Sequence, residues 1–174
     1  MIGGFTIAAA MAVASPQAAV PVPLADAVAL WQRLCVDTMP TAQRFVDAFN
    51  RDTGNGWQKF KPKDHPVSGG TYWRSPKGIL TYVSAPFLPA TINDPGCHYT
   101  FAVEPGYSHA DGVTALRAAL GLDAGASIGN AKAPQHRWES DRPNGMHFRI
   151  FLSASDDLGV PGARLSVSLR RAPQ

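Results

Sequence analysis

The chain predicts an α+β fold: a mainly antiparallel sheet with an N-terminal helical hairpin and a third helix packed on one face. Three observations predict it. Two apolar stripes at helical spacing open the chain, between residues 26 and 51. Short runs of β-branched and aromatic residues follow, alternating in hydrophobicity and bounded by Gly and Pro turns. A further helical stripe divides those runs into two blocks. Strands joined by short turns lie antiparallel, and helices with one apolar face need a sheet to cover.

Taken in order, residues 1–19 stand apart from the fold. An apolar run from Phe5 to Ala14 is too short to span a bilayer. It has the length of a signal-peptide core, and Ala12-Val13-Ala14 fits the Ala-x-Ala cleavage rule, with Pro16-Gln17-Ala18 as a second site. No Lys or Arg precedes the run, so either the free amino terminus supplies the charge or the true start lies upstream. We expect a signal peptide over 1–19 and a single α+β domain over 20–174, periplasmic or secreted. No cysteine follows the run closely, which argues against a lipid-anchored lipoprotein, and no other stretch reads as a transmembrane span.

The first helix is expected over Asp26–Asp37, where Ala27, Leu30, Trp31, Leu34 and Cys35 share one face. Thr38-Met39-Pro40 ends it. Pro40 suits the first turn of a second helix over Thr41–Arg51, with Ala42, Phe45, Val46 and Phe49 on its apolar side. Asp52–Gly56 stops that helix. Strands are expected at Thr71–Arg74, Ile79–Ala85 and Cys97–Glu104, with a tight turn at Ser75–Gly78 and a loop from Pro86 to Gly96. The third helix spans Asp111–Leu120 and ends on Gly121. A small-residue linker reaches Pro134. Strands at Gln135–Asp141, Met146–Ser153 and Ala163–Arg171 close the chain, the first two joined by a hairpin turn at Arg142–Gly145. The sequence shows no internal repeat long enough to matter, although the two three-strand blocks either side of the third helix could be pseudo-equivalent.

Composition bounds the function. The apolar fraction of 45% is ordinary for a globular chain, and 174 residues bury a sizeable core. A net charge of +3 is too mild for nucleic acid, which calls for Lys and Arg concentrated on one face.

Cys35 lies on the buried stripe of the first helix. Cys97 opens a strand in which Cys97, Tyr99, Phe101 and Val103 point inward by alternation. An exported chain with two cysteines pairs them in an oxidising compartment, so a disulfide is expected between helix and sheet. Closing the intervening loop stabilises the fold by roughly 4 kcal/mol in the chain-entropy account. Two unpaired buried thiols are the alternative.

The same alternation directs His98, Thr100 and Glu104 outward, with His147, Arg149, Phe151, Ser153, Arg164, Ser166, Ser168 and Arg170. If the strands are neighbours, His98, Glu104, His147, Arg149, Arg164 and Arg170 form a candidate ligand-binding face for an anionic small molecule or an envelope component, since Arg forks onto planar anions. The plainer reading is a solvated sheet face.

Other chemistries find less support. The five histidines are widely spaced and form no ligand pair, so neither a metal nor another cofactor is expected. His98 cannot serve as the base for Cys97, because adjacent strand residues face opposite ways. No Gly-x-Ser-x-Gly elbow occurs, and Gly121, Gly125 and Gly129 follow no strand as a phosphate loop would. The lysines of Trp57–Pro66 read as an exposed loop that could also touch an acidic surface. Trp31, Trp57, Trp73 and Trp138 read as core or core edge rather than a carbohydrate platform, although Trp73 and Tyr82 on neighbouring strands could stack a ligand ring.

Leu34-Cys35 in the first helix, Gly56-Trp57 after the second, Gly96-Cys97 opening a central strand and the cleavable start together resemble small exported proteobacterial proteins of unknown function. The resemblance covers about residues 24 to 104 and implies export without supplying an activity or a functional residue. The functional expectation is therefore an exported binding or envelope-associated module without a catalytic constellation. The alternatives are a small hydrolase or transferase using His98, His147, Arg149 and Glu104, and a redox-active dithiol. The wide separation of the two cysteines argues against the last of these.

Overall fold

A computed structural model describes residues 18–39, 41–52, 56–62, 69–84, 95–141 and 146–170. Most of the expected signal peptide, Pro40, the core of the stop after the second helix, part of the Trp57–Pro66 stretch, the loop from Pro86, the Arg142–Gly145 turn and Arg171 lie outside the described residues.

The order is α1 (Leu24–Trp31), a π-helical turn (Gln32–Val36), α2 (Ala42–Asp52), β1 (Gln58–Phe60), β2 (Gly70–Ser75), β3 (Gly78–Val83), β4 (Gly96–Ala102), α3 (His109–Leu120), β5 (Ala126–Ser127), β6 (Gln135–Asp141), β7 (His147–Ser155) and β8 (Gly162–Arg170). The strands form one sheet in the order β1-β2-β3-β4-β8-β7-β6-β5. Every neighbouring pair is antiparallel, and the helices pack on one face.

Four differences from the sequence reading have physical causes. The first helix is not α-helical throughout: the Asp37 amide donates to the Gln32 carbonyl at 2.9 Å, a wide turn that buries Leu34, Cys35 and Val36 in succession. Two extra strands, β1 and β5, sit at the sheet edges, and β5 lies within the expected linker. They have three and two residues, too few to carry an alternation signal. β4 stops at Ala102: the next rung still joins the Val103 amide to the Pro161 carbonyl at 3.3 Å, but proline has no amide to return the bond, and Pro105-Gly106 follows. α3 starts at His109, two residues before the expected start at Asp111: Ser108 caps it and Asp111 reaches back to the Ser108 amide in a capping box.

Core-facing rows cross the sheet beneath the helices. One runs Trp73–Leu80–Tyr99–Leu165–Leu152; the next runs Tyr82–Cys97–Val167–Ile150–Trp138. Phe45 of α2 packs on Tyr82 at 4.3 Å and on Trp73 at 5.4 Å between ring centroids. Close approach of α3 requires Gly112, where a Cβ would meet the Tyr107 hydroxyl at 2.6 Å and a Leu152 methyl at 2.7 Å. Cys35 and Cys97 form a disulfide with a Cα–Cα distance of 5.3 Å, tying the π-helical turn to β4. Both residues are fully buried.

The two blocks are equivalent in architecture. Each is a helix followed by a four-strand meander, and elements of the second start 65 to 69 residues after their counterparts. β4 and β8 meet at the centre, with Tyr99 opposite Leu165, the position of a pseudo-two-fold axis. Trp73 and Trp138 occupy corresponding core positions of β2 and β6.

Candidate functional site

Strand pleating sends every second side chain to the face without helices. The register there builds a central row, Tyr72–Thr81–His98–Ser166–Phe151. Beside it lies a second row, Arg74–Ile79–Thr100–Arg164–Ser153. On the other side, Ser168 pairs Arg149, which pairs Glu139. All the arginines of the described strands, Arg74, Arg137, Arg149, Arg164 and Arg170, occupy register positions of this face, and the strand lysine Lys59 does not.

Side-chain size shapes this surface. Thr81, Thr100 and Ser166 are only 9%, 3% and 8% exposed. The flanking Tyr72, Phe151 and Arg164 are half-buried, and Arg74 is exposed with its guanidinium 4.5 Å from the Phe60 ring centre. The result is a trough in side-chain height only, its hydroxyl floor on β3, β4 and β8 almost wholly covered and flanked by larger side chains on β2 and β7.

His98 sits in that floor between Thr81 and Ser166. Burial, and then the nearby Arg164 cation, push its pKa down to about 4, so the ring is neutral at pH 7. Its Nδ1 is buried without a hydrogen-bond partner. Arg164 donates from Nε to Thr100 Oγ1 at 3.2 Å, and its guanidinium pairs with Asp157. Burial lowers the Arg164 pKa and Asp156 partly restores it. Asp156 and Asp157 stand in the β7–β8 turn, where the Gly159 amide donates to the Asp156 carbonyl at 2.8 Å.

His147 and Arg149 belong to a second cluster. His147 Nδ1 contacts the Asp141 carboxylate and Nε2 lies 3.6 Å from Glu139. Arg149 Nε donates to Glu139 Oε1 at 3.0 Å, and Arg137 Nε is 3.9 Å from the same oxygen. Arg170 is the register partner of His147. His98 and His147 are separated by two strand spacings and four residues, about 17 Å.

Glu104 joins neither cluster. Past the end of β4, it lines a cleft of about 190 Å³ with Val22, Leu24, Tyr107 and Asp111. There the Tyr107 hydroxyl is pushed up to about 12 by burial and by Asp111. The six residues singled out from sequence thus divide into His98 with Arg164, His147 with Arg149, and Glu104 alone, while Arg170 holds the register position opposite His147.

Trp73 and Tyr82 pack against Phe45 in the core and do not reach the trough. The trough instead uses Tyr72 and Arg74, which sequence reasoning passed over. Their signal was present: Trp73 is the core residue of that strand, so its two neighbours must face the other way. Among the described residues no group of three or more His, Cys, Asp and Glu is arranged to hold a metal ion, and no helix is long and apolar enough to cross a membrane.

No family model, no curated protein and no solved structure matches the chain.

Proposed function

We propose that this chain is an exported binding module without catalytic activity, and that its ligand lies on the helix-free face of the sheet. The observation that carries the reading is the gathering of Arg74, Arg137, Arg149 and Arg164 on one face, around a floor of buried hydroxyls. Guanidinium forks above small hydrogen-bonding groups suit an anionic ligand. The Cys35–Cys97 bridge supports export, because such bonds persist in oxidising compartments. The cleavable start and the resemblance to small exported proteobacterial proteins point the same way. A hydrolase or transferase reading needs His98, His147, Arg149 and Glu104 to converge on one substrate, and their separation favours binding instead.

Two measurements test this. Cell fractionation with intact mass should recover the protein outside the cytoplasm, shortened at its amino terminus, with no thiol alkylated in denaturant until reductant is added. Thermal-shift screening with small di- and tricarboxylates and phosphate esters should give ligands whose effect is lost in Arg164→Gln. Cytoplasmic material with two free thiols defeats the export reading. Ligands insensitive to every arginine of the face defeat the binding reading.

A further inference from the structure

We propose a second binding site, apart from the helix-free face, in the cleft where the end of β4 meets the first turn of α3: it takes a short alkylammonium ion, apolar tail inward and charged head at the rim. The cleft measures about 190 Å³. That is the share of liquid volume of roughly six water molecules, room for a short chain and too little for a drug-sized ligand. Its lining grades from apolar to acidic. Phe101 and Val22 are 0% and 7% exposed and form the base. Half-buried Leu24, Val103 and Tyr107 rise from it, and Glu104 and Asp111 are exposed at the rim. The wall that holds Val22 is tied to β4, since the Val22 amide donates to the Ala102 carbonyl at 3.0 Å. An alkyl chain laid on this base leaves water while its charged end stays solvated at the rim, so burial is gained without stripping the charge.

Charge selects a cation over a neutral or anionic chain. Basic residues outnumber acidic ones in the sequence, sixteen to thirteen, yet the charged residues lining this cleft are Glu104 and Asp111. Among the described residues no Lys, Arg or His lies within ion-pairing distance of either carboxylate. Both stand on fixed turns, which spares the ligand the cost of ordering them. The Tyr107 amide donates to the Glu104 carbonyl at 3.1 Å across Pro105-Gly106, with Gly106 at a φ of 88°. Asp111 Oδ2 accepts from the Ser108 hydroxyl at 2.7 Å and the Ser108 amide at 3.3 Å, which leaves Oδ1 for a ligand. Asp111 also offsets the positive end of α3, which would otherwise repel a cation. The direction of the gradient separates a free amine from a lysyl side chain. A lysine enters ammonium first and would set its charge against Phe101, whereas a free alkylamine enters by its tail.

The test is titration of the disulfide-bonded protein with pentylamine at pH 7, followed by amide NMR shifts. Pentanol and pentanoate supply the same chain neutral and anionic, cadaverine carries a charge at both ends, and acetyl-lysine methylamide supplies a lysyl side chain. Pentylammonium should bind saturably, shift the amides of Val22, Leu24, Val103 and Tyr107, and weaken with added salt. Pentanol should bind at least about fivefold more weakly, and pentanoate more weakly still. Glu104→Gln and Asp111→Asn should each weaken pentylammonium roughly fivefold, the loss of one solvated ion pair. Ser108→Ala removes the same helix cap but keeps the Asp111 carboxylate, so it should retain binding and separate charge from helix fraying. Glu104→Gln, an exposed turn change, should fold as wild type by circular dichroism. Arg164→Gln on the helix-free face should leave the binding unchanged, so this site stands or falls apart from the sheet-face reading. Absence of a saturable shift at the cleft overturns the proposal. Pentanol binding as tightly as pentylammonium, or binding indifferent to both carboxylate variants, removes the cation assignment. Tighter binding of cadaverine or acetyl-lysine methylamide than of pentylammonium overturns the tail-inward arrangement.

Discussion

Acid should weaken this fold through one side chain in the trough floor. His98 has its pKa lowered from 6.5 to about 4 by burial and then by Arg164. Above pH 6.5 the ring is neutral in both folded and unfolded chains and contributes no pH dependence. Between 6.5 and about 4 the unfolded chain takes a proton that the folded chain refuses, so stability is lost as the pH falls. Below about 4 both states are charged and this contribution levels off. The drop in pKa corresponds to a loss of about 3 kcal/mol across that window. Urea denaturation of wild type and His98→Gln between pH 7.5 and 4 isolates it, since carboxylates and other histidines act on both proteins. Stability of the wild type should fall about 3 kcal/mol further than that of the variant. Parallel profiles, or an NMR titration placing His98 near 6.5, would refute the reasoning.

Four other perturbations probe the fold. Cys35→Ala with Cys97→Ala should cost roughly 4 kcal/mol in urea unfolding, since the sequence separation of 62 residues sets the loop entropy released. Gly112→Val should destabilise by about 1–3 kcal/mol through collision with Tyr107 and Leu152, read as a lowered Tm. Ser108→Ala removes the cap of α3 and should cost about 1 kcal/mol. Arg149→Ala should change stability by less than about 1 kcal/mol, because its ion pair with Glu139 is partly solvated; a larger loss by thermal denaturation would show the second cluster to be structural.

Periodicity made the faces legible and left the neighbours unread. Helical spacing placed Cys35 inward and strand alternation placed Cys97 inward and His98 outward, all three as found. Alternation is a property of each strand alone, so it holds wherever the strand pairs. Which strands lie side by side is a non-local choice. Pairing β4 with β8 puts Ser166 beside His98 and sends His147 to the far end of β7. Glu104 shows the complementary failure: its parity was right for the face, but the chain had left the sheet two residues earlier. β1 illustrates a third limit, since three residues carry too little pattern to announce an edge strand.

The covalent bond and the trough share a strand, and this connects the legible part of the fold to its proposed use. Cys97 and His98 are consecutive on β4, one tied to the π-helical turn below and the other set in the floor above. The bridge therefore anchors the backbone on which the floor side chains stand. In the Cys35→Ala, Cys97→Ala protein, kept folded at low temperature, amide exchange should quicken on β4 around His98 more than on β6, which the bridge does not touch. A ligand of the trough should also bind more weakly, because ordering the floor then falls to the ligand. Equal exchange changes on β4 and β6 would show that the bridge stabilises the domain globally and has no particular hold on the site.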